Sequence, residues 1–161
     1  MQKEIVLMAG FLAAVIICSG AAIAQDDRPQ TGTIIKAGEM NGLCRLDIIN
    51  NGADDAVAYL VSMEKEIVEA VYIRGGDYVN LTGIDDGSYE LYFKQGEGWN
   101  ASAGKFETNA TSSRMEEPMT LETQKTPEGV RFTWGQVTLK EVVDGNAHVV
   151  VVSEEDFPVL K

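Results

Sequence analysis

Apolar residues recur at every second position through most of this chain, and that spacing is the strongest constraint on its fold. Within 88–95, for example, Tyr89, Leu91 and Phe93 alternate with Glu90 and other residues that face the opposite way, as in a strand with one buried side. Clusters of Gly, Asn and Asp separate such runs and tolerate the positive φ angles of tight turns. The pattern predicts strands and turns rather than helices.

The candidate strands are short and lie close together along the chain. They are 32–38, 42–50, 56–63, 66–74, 77–82, 88–95, 118–124, 129–142 and 147–153. A spacing of roughly 8–12 residues without a helical period between strands predicts an antiparallel β-sandwich of about 7–9 strands. In 129–142, Val130, Phe132 and Trp134 form another row on one face. The stretch 96–117 lacks alternation, so we expect a long irregular loop there, where function often resides.

The N-terminus carries twenty residues without a charge, Ile5 to Ala24, which predict export. Small residues before Gln25 match the A-x-A pattern of a signal-peptide cleavage site. A retained anchor helix is the alternative, because about 20 apolar residues cross a hydrocarbon core of roughly 30 Å. We therefore expect a signal peptide or membrane anchor over 1–24, a linker over 25–31 and a β-sandwich domain over 32–161. Both readings predict a secreted or cell-surface protein.

Two cysteines are present, and neither predicts an intramolecular disulfide. Cys18 lies in the apolar run and follows Ile17 rather than a small residue, which argues against lipid attachment. Cys44 shares a strand face with Leu46 and Ile48, so we expect a buried thiol. An unpaired cysteine in an exported chain leaves intermolecular pairing as the alternative.

The formal net charge of −12 excludes one large class of partners. Such a surface repels phosphates and anionic lipid headgroups, so nucleic-acid binding is not expected. A single histidine, His148, and a single cysteine outside the export segment do not make a zinc site. We expect no cofactor, with calcium as the alternative, because carboxylates cluster at Asp26-Asp27, Asp54-Asp55, Asp85-Asp86 and Glu154-Glu155-Asp156. These clusters lack the EF-hand spacing and also suit solvated turns.

Two short motifs match catalytic or cofactor patterns without their context. The G-x-G-x-x-A match at 96–101 and the S-x-x-K match at 102–105 both need a helix, which the sequence there does not predict. No catalytic, cofactor-binding or metal-binding residue is therefore predicted. Two carboxylates across a cleft suffice for glycoside hydrolysis, so a small secreted carboxylate-dependent hydrolase stays an alternative.

The turn before Tyr89 carries a structural motif. Asp86-Gly87-Ser88-Tyr89 has the form of a tyrosine corner, in which the hydroxyl bonds back to the main chain. The segment from Gly87 to Trp99, with Phe106-Glu107-Thr108-Asn109-Ala110 and Glu117-Pro118 after it, resembles a family of exported β-sandwich proteins of bacteria and archaea. The likeness covers about residues 45–157 and departs at Glu107, where the family pattern has a small polar residue. It implies an export-linked β domain without catalysis, and a weaker likeness relates the chain to prealbumin-like surface modules.

Candidate contact residues are aromatic rings and glycan acceptors. Tyr92, on the outward side of its strand, and Trp99, in the predicted loop, are expected to form a binding platform for sugars or proteins. The alternative for Trp99 is core packing under the loop. Asn80, Asn100 and Asn109 each begin an N-x-[ST] sequon and are candidate glycosylation sites in an exported chain.

Together these features predict a non-catalytic extracellular or membrane-tethered module that binds a protein or glycan of the cell envelope. The hydrolase and a structural module of a surface layer are the alternatives. A membrane contact is expected only through residues 5–24 if they are retained, and the sequence predicts no oligomeric state.

Overall fold

The computed structural model describes residues 28–139 and 148–160, and every regular element in those ranges is a β-strand. The all-β prediction is confirmed. The predicted signal or anchor over 1–24 lies outside the described residues. Within the described ranges, no helix is long and apolar enough to cross a membrane.

The strands are numbered in chain order. They are β1 (Ile34–Lys36), β2 (Cys44–Ile49), β3 (Asp55–Ser62), β4 (Ile67–Ile73), β5 (Tyr78–Ile84), β6 (Gly87–Asn100), β7 (Lys105–Met115), β8 (Met119–Leu121), β9 (Thr123–Thr126), β10 (Gly129–Phe132), β11 (Trp134–Thr138) and β12 (Val149–Val151).

Two sheets and a two-stranded ribbon account for these strands. The larger sheet has the order β1-β4-β3-β6-β7-β12, with β8 beside the start of β6, and its pairs are antiparallel. The smaller sheet has the order β11-β2-β5, in which β11 runs parallel to β2. Strands β9 and β10 form the ribbon.

The main core lies between the two sheets, in a sandwich-like arrangement. Buried side chains of both sheets meet there, including Leu46, Ile48, Leu81, Leu60, Leu91 and Phe93. Burying each such side chain contributes roughly 1.5–3 kcal/mol. Cys44 belongs to this core with no exposed surface, so the prediction of a buried thiol is confirmed and the thiol is not accessible to a second chain.

The other face of the larger sheet is buried as well. Val57, Tyr59, Tyr72 and Tyr92 form a second cluster there, which Phe157 of the C-terminal segment covers. The expectation of a single buried side for the strand around Tyr92 is therefore wrong. A distant segment folds back over residues that local alternation assigns to solvent.

The predicted loop over 96–117 is instead a long β-hairpin. Strand β6 continues to Asn100, β7 begins at Lys105, and a short turn over 101–104 joins them. The pairing carries a bulge between Gln95 and Glu97, where a Cβ on Gly96 would lie 2.7 Å from the Cβ of Phe106. Only glycine fits this close approach of the two strands.

The predicted strand over 129–142 is divided between the ribbon and the smaller sheet. Thr133 separates β10 from β11; its N–H donates to the Glu122 carbonyl, and its own carbonyl accepts from the Arg45 N–H, both at 3.0 Å. Residues 140–142 lie outside the described ranges. The predicted strand 118–124 divides similarly into β8 and the start of β9. With β7 added, these divisions give twelve strands in the described residues rather than 7–9.

The tyrosine corner is confirmed. The Tyr89 hydroxyl donates to the Asp85 carbonyl at 2.9 Å, and the Tyr89 side chain is 7% exposed. The bond fixes the turn that leads into β6.

Glu69 is a buried acid within β4, at 7% exposure, and burial raises the pKa of its carboxyl. A carboxyl whose pKa rises on folding contributes stability that is complete below its unfolded-state pKa and is lost as pH rises through the folded-state pKa. We expect Glu69→Gln to increase the free energy of unfolding at about pH 7.5 and to change it little below about pH 4. Urea denaturation at both pH values measures this, with Glu66→Gln as the exposed control. An equal effect at both pH values would contradict the prediction.

Candidate binding surface

The solvent-facing side of the smaller sheet is built by strand alternation. Because Leu46, Ile48 and Leu81 point into the core, their neighbours along the strands point outward. Strand pairing sets these outward residues in three rows. We call this surface the outer face; its rows are Trp134, Arg45 and Thr82, then Gln136, Asp47 and Asn80, then Thr138, Ile49 and Tyr78.

Large aromatic side chains are exposed on and beside the outer face. Trp134 is 63% exposed, Tyr78 is 67% exposed, and Phe132 at the adjoining end of the ribbon is 39% exposed. Trp134 and Tyr78 occupy opposite corners of the rows, roughly 16 Å apart by strand spacing and rise. These exposed rings make the outer face the candidate interaction surface among the described residues.

Hydrogen bonds hold the Trp134 ring in place. Its Nε1–H donates to Asp47 Oδ2 at 2.9 Å, and the Asn80 amide donates to the other oxygen of the same carboxylate. The indole is thus exposed on its apolar surface but tied at its polar edge. A ring held in one orientation loses less side-chain entropy when a partner binds.

Arg45 and Asp47 are the charged side chains in the three rows. The Arg45 guanidinium lies 5.5 Å from the centre of the Phe132 ring, a cation–π contact that links the ribbon to the sheet. The positive charge of Arg45 and the negative charge of Asp47 cancel on the outer face, although the whole chain has a formal net charge of −12.

Tyr92 and Trp99, the predicted platform residues, lie on the larger sheet and not on the outer face. Tyr92 is only 6% exposed, and its ring meets Phe157 edge-on at 5.6 Å. Trp99 is half-buried in the same cluster and contacts Phe106 at 5.0 Å between ring centres. Its indole N–H is buried without a hydrogen-bond partner among the described residues. Tyr92 therefore exposes little of its ring, and Trp99 packs partly within the second cluster.

More exposed side chains belong to the sequence row Val130, Phe132 and Trp134. As a row on one face it suggests burial, yet Val130 is 51% exposed, and the other two are also exposed. The chain switches sheets at Thr133, so these residues do not share one buried face. The polar partner of Trp134, Asp47, lies on a different strand, and the sequence alone does not show that β11 pairs with β2.

The three sequons differ in their surroundings. Asn80 lies on the outer face bonded to Asp47, so a glycan there would cover the candidate surface. Asn100 donates to Glu107 Oε1 and accepts from the Ala103 N–H, both at 3.0 Å. Asn109 is exposed within β7 at a φ of 53°.

Two cavities lie away from the outer face. One of about 220 Å³ lies beneath the C-terminal segment beside Lys94 and Glu154, which pair at 2.7 Å. Hydrogen bonds from Lys94 and Ser112 lower the pKa of the Glu154 carboxyl. The other, of about 390 Å³, adjoins Asp55. Lys94 and Glu154 thus pair with each other, and Asp55 accepts hydrogen bonds from the Tyr72 hydroxyl and the Gly75 N–H.

The calcium alternative has no located site. Among residues 28–139 and 148–160, no three His, Cys, Asp or Glu side chains come together to hold a metal. In the Asp54-Asp55 pair, Asp54 is exposed while Asp55 is buried, so the two carboxylates do not act together. Asp26 and Asp27 lie outside the described residues.

The described fold and surface define an all-β domain with exposed aromatic rings on and beside the outer face. Comparisons of the chain with protein-family models, curated proteins and solved structures gave no match.

Proposed function

We propose that this protein is a non-catalytic binding module of the cell envelope and that the outer face is its binding surface. The observation that carries the proposal is Trp134, which is 63% exposed and yet fixed by Asp47. An ordered, exposed indole has a large apolar area available for a partner and little freedom to lose.

The aromatic rings of the outer face are large enough to contribute substantially to binding. Each aromatic side chain buries about 150–250 Å² in a contact, at about 25 cal/mol per Å² of apolar surface. Trp134, Tyr78 and Phe132 are each exposed enough to bury apolar area against a partner. Trp and Tyr are also the residues that most often dominate binding free energies.

The shape of the outer face favours an extended partner. Its residues come from three adjacent strands and line neither of the two cavities described above. Small-molecule sites are typically concave and enclose most of the ligand. A sheet face of this kind instead suits a polymer that lies across the strands.

The predicted export segment gives the proposal its location. A signal or anchor over 1–24 puts the domain outside the cytoplasm, as a secreted or cell-surface protein. The resemblance to an exported β-sandwich family agrees with that location. An envelope polymer is then the partner within reach.

Replacing Trp134 with alanine tests the proposal. The purified protein should co-sediment saturably with envelope material of the organism that produces it, and Trp134→Ala should weaken this binding at least tenfold, or about 1.4 kcal/mol. Val151→Ala is the matched control, because Val151 is 80% exposed but lies on β12 of the larger sheet.

Thermal unfolding of both variants checks that the fold is retained. Equal binding by wild type and Trp134→Ala would overturn the proposal. Release of soluble fragments from the envelope, abolished by a single carboxylate substitution, would instead support the hydrolase alternative. Ordered self-assembly without envelope would support the surface-layer module.

A further inference from the structure

We infer that the polymer bound by the outer face is an uncharged polysaccharide. This inference rests on the proposed function and adds the chemical class of the ligand. It follows from the charge, the hydrogen-bonding groups and the aromatic spacing of the outer face.

Charge excludes the two ionic classes of polymer. A net charge of −12 repels acidic glycans and other polyanions at long range. A polycation would be attracted to the chain as a whole, but Asp47 is the sole carboxylate in the three rows. That carboxylate already accepts hydrogen bonds from Trp134 and Asn80, so an uncharged polymer fits the outer face best.

The uncharged polar groups match a ligand rich in hydroxyls. The amides of Asn80 and Gln136 flank Asp47 in the middle row, and the hydroxyls of Thr82 and Thr138 occupy the two corners without an aromatic ring. Amides and hydroxyls both donate and accept hydrogen bonds, as sugar hydroxyls do. Exposed aromatic rings pack against the C–H faces of sugar rings, which are the apolar part of a carbohydrate.

A protein partner fits this surface less well. Protein contacts concentrate their binding free energy in residues buried in desolvated pockets. Trp134 and Tyr78 stand instead at separate corners of an open sheet, with polar residues between them. Two separated stacking positions suit the repeated rings of a polysaccharide.

The spacing of those corners predicts a dependence on ligand length. Because Trp134 and Tyr78 lie roughly 16 Å apart, a single sugar ring reaches only one of them. Affinity should therefore rise with oligosaccharide length until one ligand contacts both rings, and Tyr78→Ala should remove that rise.

Selective destruction of envelope components tests the ligand class. Envelope material is divided into portions that are untreated, oxidised with periodate to cleave vicinal diols, or digested with a broad protease, and each is assayed with wild type and Trp134→Ala. We expect periodate to lower the Trp134-dependent binding at least tenfold and protease to leave it within about twofold.

Carbohydrate released from the envelope and separated by anion exchange then tests the charge argument. The unretained, neutral fraction should compete for binding, and the retained, acidic fraction should not. Loss of binding after protease but not after periodate would overturn the inference in favour of a protein partner. Competition by the acidic fraction alone would overturn its uncharged character.

The experiment distinguishes failure of the carbohydrate inference from failure of the proposed binding function. If Trp134→Ala weakens binding but the material is protease-sensitive, the binding module stands and the carbohydrate inference is wrong. If wild type and Trp134→Ala bind all portions alike, both are wrong.

Discussion

Phe157→Ala is expected to lower the free energy of unfolding by about 3–5 kcal/mol, the range for removing a buried aromatic ring. The Phe157 ring is 4% exposed and meets Tyr59 edge-on at 5.0 Å. The Lys94 ammonium lies 4.6 Å from its centre. Removing the ring leaves a cavity over the larger sheet and detaches the C-terminal segment from it.

Urea denaturation measures the loss, and limited proteolysis reports whether the C-terminal segment becomes accessible. Val159→Ala is the control, because Val159 is in the same segment but 71% exposed and should change stability by less than about 0.5 kcal/mol. A loss below about 1 kcal/mol for Phe157→Ala would contradict the described packing.

Asp55→Ala is expected to cost about 3 kcal/mol, because it leaves buried donors without an acceptor. Asp55 is 4% exposed; it accepts from the Tyr72 hydroxyl at 2.6 Å and from the Gly75 N–H at 3.0 Å. Arg28 lies 3.5 Å from the same carboxylate. The substitution therefore breaks a connection between β3, β4 and the chain before β1.

The neighbouring Asp54→Ala is the matched control, since Asp54 is exposed and should change stability by less than about 0.5 kcal/mol. Tyr72→Phe provides a second arm. It removes one of the donors and should cost about 1–3 kcal/mol, because the buried carboxylate loses a hydrogen bond. Equal effects of Asp54→Ala and Asp55→Ala would show that the connection does not stabilise the fold.

The local sequence was sufficient to predict strands that carry either alternating apolar residues or a short apolar run ended by turn residues. Strands β2 to β5 lie within one or two residues of their predicted bounds, because each carries regular apolar positions ended by turn residues. Strand β7 was missed because most of its positions between Glu107 and Thr111 are polar and exposed on both sides. Main-chain pairing with β6 stabilises it, and pairing partners leave no local pattern.

The candidate surface was harder to predict for the same reason. Tyr92 does lie on the face opposite Tyr89, but its burial depends on Phe157, far along the chain. Trp134 lies on a row that suggests burial, and only the switch at Thr133 places it in solvent. Exposure is thus decided by contacts between distant segments, while strand identity is decided mainly by neighbours.

The parallel pairing of β11 with β2 determines when the outer face is complete during synthesis. The three strands of the outer face begin at Cys44, Tyr78 and Trp134, so the surface is assembled from both halves of the chain. Long-range pairings of this kind form slowly, since loop closure precedes the gain from contacts. During synthesis, a chain that ends before Trp134 cannot form the complete outer face, and the binding we propose for that face requires the C-terminal third to have joined the sheet.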